Sequence, residues 1–371
     1  MPGTPRGRYT VHPAAGAMPF WVPFDRENVI EMHHKAGWAL LVAIAVLSPA
    51  PPMLAQEVHE LRLIPENVHW GYYDAALAPV LAVRSGDEIT VETFIARGLE
   101  RLRMAGLAED RIPRSMIDLE LAVTERGPGA HPLTGPIFVE GAEPGDALEV
   151  RILEIGFLTP YGVSGFLPAG GTLPDDFPYA ALRLFEIDPE AGVAHMEPDL
   201  TVPVRPFLGS IGVAPPVLRG RVSSGPPGFH VGNLDNKELT EGATLFLPVH
   251  VPGALLSIGD GHAAQGDGEV SGTAIETSLT ARVQVLLHED MRLGWPRAET
   301  PTHYISMGLH PDLDEAARIA TREMIDFLVE HLGVDRDDAY VLCSVALDLR
   351  ITQLVDGTKG VHGMLSKELF R

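Results

Sequence analysis

A chain of 371 residues with 45% hydrophobic content has enough length and apolar material for a large buried core, as one big domain or two smaller ones. Its formal net charge of −22 excludes nucleic acid as a partner, because no basic stripe can offset it. A single cysteine, Cys343, excludes an internal disulfide and any C-x-x-C metal site.

Residues 1–31 show no helical or strand period and are rich in Pro and Gly. Residues 32–55 read differently. Met32 opens a short polar, basic start (His33, His34, Lys35), and an uninterrupted apolar run follows over residues 36–47. That run has the length of a signal-peptide core and is too short to span a bilayer as a stable helix. Ser48-Pro49 breaks it, and Ala55 offers a small residue for cleavage before Gln56, although Met53 occupies the position where a second small residue is preferred. The expectation is a start at Met32, a misassigned extension over residues 1–31, a signal peptide over 32–55, and an exported catalytic domain over 56–371 without a stable membrane span.

From residue 57 the pattern is of short strands: 59–63, 80–83, 88–94, 138–139, 147–155 and 181–187, with turns at Ser85-Gly86-Asp87 and Glu143-Pro-Gly-Asp146. Leu148-Glu-Val-Arg-Ile-Leu-Glu-Ile155 alternates with period two, as a half-buried strand does. The predicted fold class is mainly β, a sandwich or roll-like barrel of many short strands, with a small C-terminal helical α+β element. Residues 165–178 form a Gly/Pro-rich loop suited to a pocket rim.

The densest polar cluster comes next. Between Gly259 and Glu269, four glycines are interleaved with Asp260, His262, Gln265, Asp267 and Glu269. A buried carboxylate without a partner costs several kcal/mol. The cluster is therefore either a solvated turn or a place where carboxylates and imidazole converge on a metal or a reacting group. Strand patterns at 244–251 and 270–276 flank it, and on the second of these Val270, Gly272, Ala274 and Glu276 would share a face. Beyond it, a strand at 280–287 precedes a helix from Asp314 with Asp312 or Asp314 as its cap and Gly333 just past its end. A second helical stretch covers 336–347, with Cys343 on its apolar face as a structural thiol.

Several blocks resemble the acetamidase/formamidase family: HPLTGPIFVEGAEPGDALEV from His131, the segment from Arg205 to Pro215, GNLDNKEL, LPVHVPGAL, and GDGHAAQGDGE followed by TAIET. His69 before Trp70, with Pro79 and Ser85-Gly86-Asp87 after it, resembles the family's N-terminal block, with Ser85 in place of a proline. The similarity runs from about Val68 to Phe370. It implies hydrolysis of short aliphatic amides, such as formamide or acetamide, to a carboxylate and ammonia by a homo-oligomer.

Amide hydrolysis needs a strong nucleophile, a stabiliser for the oxyanion and an acid for the departing amine. The chain has no G-x-S-x-G and no environment that would activate Cys343, which leaves a metal-activated water. No EF-hand or H-E-x-x-H spacing is present, so the ligand set comes from local density together with the resemblance. Asp235, Asp260 and His262 are the first-choice ligands for zinc or a similar divalent ion. Asp267 and Glu269 add hard oxygen donors, and His69 and His131 are distant candidates. Glu269 and Glu276 are the candidate general base and acid, and Asn233 and Gln265 the candidate donors to the oxyanion or the amide. Two rival readings remain at this level: an exported β-rich metal-dependent binding protein without turnover, and a metal-dependent hydrolase of an ester or lactone.

Overall fold

Two large sheets carry the core of the computed structural model, which describes residues 56–197 and 199–370. The expected extension, signal peptide and cleavage site lie outside the described residues. In the first sheet the strands run in the order Val58–Leu61, Glu88–Glu92, Leu279–His288, Ala147–Phe157, Thr244–Pro248, Arg297–Glu299, His303–His310, Lys359–Ser366 and Asp348–Gln353. Period-two patterning explains the middle of it: Leu279, Ala281, Val283 and Val285 are buried while the residues between them are half-exposed. The second sheet is organised around Leu256–His262, which pairs with Phe207–Gly212, with Pro132–Val139 and with Glu276–Thr277. One apolar cluster joins the sheets, with Val91, Val150, Leu247 and Val283 from the first and Ile137, Leu208, Ile211 and Ile258 from the second. The arrangement is the expected sandwich.

Helices gather where the sequence placed them, with additions. The helix Leu313–Leu332 starts at Asp312, whose side chain accepts a hydrogen bond from the Glu315 N–H, and stops at Gly333 in the left-handed conformation. It packs on the strand His303–His310, and the shorter helix Arg336–Ala346 packs beside it around Cys343 and Leu328. Two short helices, Glu100–Met104 and Arg114–Ala122, were not anticipated. Leu99, Leu102, Met116 and Leu119 close them over Trp70 and Phe94 as a separate small core. Among the described residues no helix is long and apolar enough to cross a membrane.

Two expectations in the polar region need correction. Residues 270–276 are not a strand; only Glu276–Thr277 pairs, because Glu269 (φ 45°) and the glycines at 268 and 272 (φ 92° and 87°) fold the chain into tight turns. Conversely, Leu256–His262 is a strand with all seven residues buried, although Gly-Asp-Gly-His is poor strand sequence.

Candidate active site

Register explains how the polar groups meet. His262 lies opposite Glu276 on one side and Phe207 on the other, while Ser210 lies opposite both Gly259 and Asn233. Asp235 follows Asn233 by two residues. At Gly209, beside these pairs, a Cβ would come within 2.6 Å of Asp235 Oδ1 and of Asp260 Oδ2, and within 2.9 Å of His262 Cε1. The absent side chain is therefore what lets the two carboxylates and the imidazole close on one point. Asp235, Asp260 and Glu269 all have positive φ (51°, 58° and 45°), a conformation that costs a non-glycine residue about 1 kcal/mol or more and is found at functional sites.

A sixth ionisable group arrives from the other sheet. Asp356 sits in the turn between Asp348–Gln353 and Lys359–Ser366. The buried Gln353 shapes that turn: its Oε1 accepts from the Val355 and Asp356 N–H groups, and its Nε2 donates to the Thr358 carbonyl at 2.6 Å. The backbone of Gly268 bonds to Thr352 and Leu354, which ties the Glu269 turn to the same hairpin. Sequence reasoning missed Asp356 because V-D-G-T between two strand patterns reads only as a hairpin turn.

Hydrogen bonds fix the orientation of each group. Ser210 Oγ donates to Asn233 Oδ1 at 2.6 Å, and Asn233 Nδ2 donates to Asp235 Oδ2 at 2.7 Å and to Asp356 Oδ2 at 3.3 Å. Asn233 thus faces the cavity but spends its amide protons on carboxylates rather than on an oxyanion. Gln265 donates to the Asp235 carbonyl at 2.7 Å and holds that turn; it does not line the cavity. His131 Nδ1 donates to the Ser224 carbonyl at 2.8 Å, which aims Nε2 at Asp260 Oδ2, 3.8 Å away. His262 Nε2 lies 3.4 Å from Asp260 Oδ1 and 3.3 Å from Glu276 Oε2, and the other Glu276 oxygen accepts from the Ala274 N–H.

Two sequence candidates lie elsewhere. His69 bonds to Ser257 Oγ at 2.9 Å and lines a different cavity beside Pro136 and Val123, so it does not join the cluster. Asp267 is part-exposed and pairs with Lys237 at 2.9 Å at the surface, since the 268–272 turn points it away from its neighbour Glu269.

The electrostatics of the cluster call for positive charge. Burial pushes Asp235 and Glu269 well above the carboxylate range, and repulsion from Glu269 and Asp356 adds to it at Asp235 and from Asp356 at Glu269. Asp356 is raised by burial as well. Burial works in the same direction on Asp260 but is overcome by His262 and His131, which hold it below the usual range. At His262 burial opposes the charged form, and Asp260 and Glu276 win, raising it well above its ordinary value.

This donor set fits a divalent cation. Three overlapping triads, Asp235–Asp260–His262, His262–Glu269–Glu276 and Asp235–Glu269–Asp356, each bring ligand atoms within 4.8 Å of one another. Among the described residues Asp235 Oδ1 and Glu269 Oε2 are buried with neither a hydrogen-bond nor an ion-pair partner, which is costly for carboxylates unless something else neutralises them, while Asp260 Oδ1 and Glu276 Oε2 face His262 Nε2. Oxygen donors with an imidazole suit zinc or a similar divalent ion. The group opens on a cavity of about 370 Å³ whose other walls include Arg97, Arg101, Gly129 and His131.

The family model described as Acetamidase/Formamidase family matches residues 65–218 and 222–370. A formamidase of Methylophilus methylotrophus is 31% identical over 245 residues, covering 52% of this chain and 57% of that protein. The chain spans about half the length of the curated relatives it matches. A crystal structure of an acetamidase from Bacillus halodurans is 33% identical with a TM-score of 0.72, covering 83% of this chain and 98% of that one. One of an acetamidase from Yersinia enterocolitica is 30% identical with a TM-score of 0.72, over 85% and 93%. The chain belongs to the acetamidase/formamidase family.

Proposed function

We propose that the protein hydrolyses small linear amides, of the formamide and acetamide type, to a carboxylate and ammonia at the Asp235–Asp260–His262 centre. The observation that supports this best is the convergence of four buried carboxylates, Asp235, Asp260, Glu269 and Glu276, and the half-buried Asp356 on one small cavity, with His262 set against Asp260 and Glu276. The relatives named formamidase and acetamidase supply the substrate class. Asp235, Asp260 and His262 would hold a divalent ion, zinc in the reading from sequence, with Glu276 and Asp356 as further donors. Such an ion supplies Lewis acidity, lowering the pKa of water and polarising the amide carbonyl.

The chain's own groups do the rest. Ser210 and Asn233 lock Asp235 and Asp356 in place, and Glu276 fixes His262. Glu269 lines the cavity and has an oxygen without a partner, so it is the group free to take a proton from the attacking water and return it to the departing nitrogen. Glu269→Gln should lower kcat by about 10²–10⁴-fold, as general acid–base losses do, with Tm little changed. Ammonia release close to that of the unsubstituted protein would remove Glu269 from this role.

Export and self-association belong to the same proposal. The apolar run at 36–47 supports a cleaved signal peptide. N-terminal sequencing of secreted protein should read from Gln56, and a mature chain that keeps residues 36–47 contradicts it. Assembly into homo-oligomers rests on the family resemblance and is tested by light scattering.

A further inference from the structure

One wall of the cavity is left unexplained by amide hydrolysis alone. Arg101 is only 7% exposed, lines the cavity, and its Nε has no hydrogen-bond partner. Among the described residues no carboxylate reaches it at ion-pair distance. Arg97, four residues earlier, lines the same cavity from an exposed position with φ 61° and among the described residues likewise has no ion-pair partner. The short helices and their Trp70 core are what bring both side chains there.

A buried guanidinium beside a second one is an unfavourable pair unless an anion lies between them. Burial, and then repulsion from Arg97, pull Arg101 down to about 10, while Glu276, Asp260 and Glu269 act on it only as a surrounding field. Were Arg101 present simply to balance those acids, it would contact one of them. Instead Asp260, Glu269 and Glu276 line the same cavity as Arg101 without pairing with it. A volume of about 370 Å³ is in the range of small-molecule pockets and leaves most of its space empty around a molecule as small as formamide.

We propose that Arg97 and Arg101 form an anion subsite, and that the preferred substrate is a primary amide that also carries a carboxylate, the amide at the acidic centre and the carboxylate on the arginines. This names the substrate class of the amidase reading and rests on it, although the subsite itself can be tested by binding alone.

The test compares ammonia release from succinamate with release from butyramide, its neutral counterpart, in the metal-replete protein and in Arg101→Gln, Arg101→Lys and Arg97→Gln. Succinate binding is measured by calorimetry alongside. The expected result is a kcat/KM at least about tenfold higher for succinamate, equivalent to about 1.4 kcal/mol. Arg101→Gln should lose about ten- to hundredfold more on succinamate than on butyramide, Arg101→Lys should recover part of that difference, and succinate should bind through the same arginines. Arg97→Gln, at an exposed position, keeps the test open should the buried variants fail to fold. Equal or better turnover of butyramide, or equal losses on both amides, overturns the subsite and leaves the amidase reading intact. No ammonia from any amide, with succinate still bound in an arginine-dependent way, sinks the amidase reading and leaves the subsite. Failure of succinate to bind overturns the subsite.

Discussion

At the scale of single residues, the site depends as much on an absent side chain as on those present. Gly209 is the position where any Cβ would press on Asp235, Asp260 and His262 together. Gly209→Ala should therefore weaken divalent-ion binding and turnover, by about a hundredfold if the donors shift by an ångström, while the strand Phe207–Gly212 stays paired. Metal titration by calorimetry checks this, and unchanged affinity contradicts the packing argument. A different buried group predicts acid sensitivity. His362 is fully buried with Nδ1 at 2.8 Å from Thr352 Oγ1, and burial lowers its pKa to about 4. Because the unfolded chain takes up this proton near pH 6.5 and the folded one only near 4, its contribution is complete above the first value. It is lost as pH falls through the second, at most about 3 kcal/mol. His362→Gln should narrow the gap between Tm at pH 7 and at pH 4.5; an unaltered gap would show that His362 is not a source of acid lability.

Much of this cluster was visible as residue types in one stretch, since Asp235, Asp260, His262, Glu269 and Glu276 all lie between positions 232 and 277. What sequence cannot show is contact across sheets. Asp356 and Arg101 are carried to the cavity by a hairpin and by a short helix, and neither position has a local pattern that marks it. His69 lies within the short strand Val68–Trp70 rather than ahead of a strand, and bonds to Ser257.

Among the elements, period-two strands and the capped helix Leu313–Leu332 were legible because burial alternation and capping chemistry are local. The strand Leu256–His262 was not, because its glycines and aspartate are chosen for the approach of Gly209, Leu133 and Leu279 rather than for strand propensity. The same logic governs the helix seat. A Cβ on Gly308 would run into the Ala316 carbonyl, so the helix Leu313–Leu332 lies directly on the strand His303–His310 at that point. Gly308→Ala should cost about 1–3 kcal/mol as overpacking does, lowering Tm by several degrees without touching kcat. An unaltered Tm in calorimetry would mean that the helix can lift at no cost.

At the scale of the whole molecule, the two sheets serve one centre: one supplies the Leu256–His262 strand and its neighbours, the other the hairpin that carries Asp356. We propose this acidic centre as an amidase site that works with a divalent ion. Its most direct test is ammonia release from formamide, acetamide and succinamate by the purified protein, before chelation, after chelation with metal content counted, and after a divalent ion is restored. Release should end when the metal count reaches zero and return with the ion. Undiminished release by protein verified to be metal-free would contradict it.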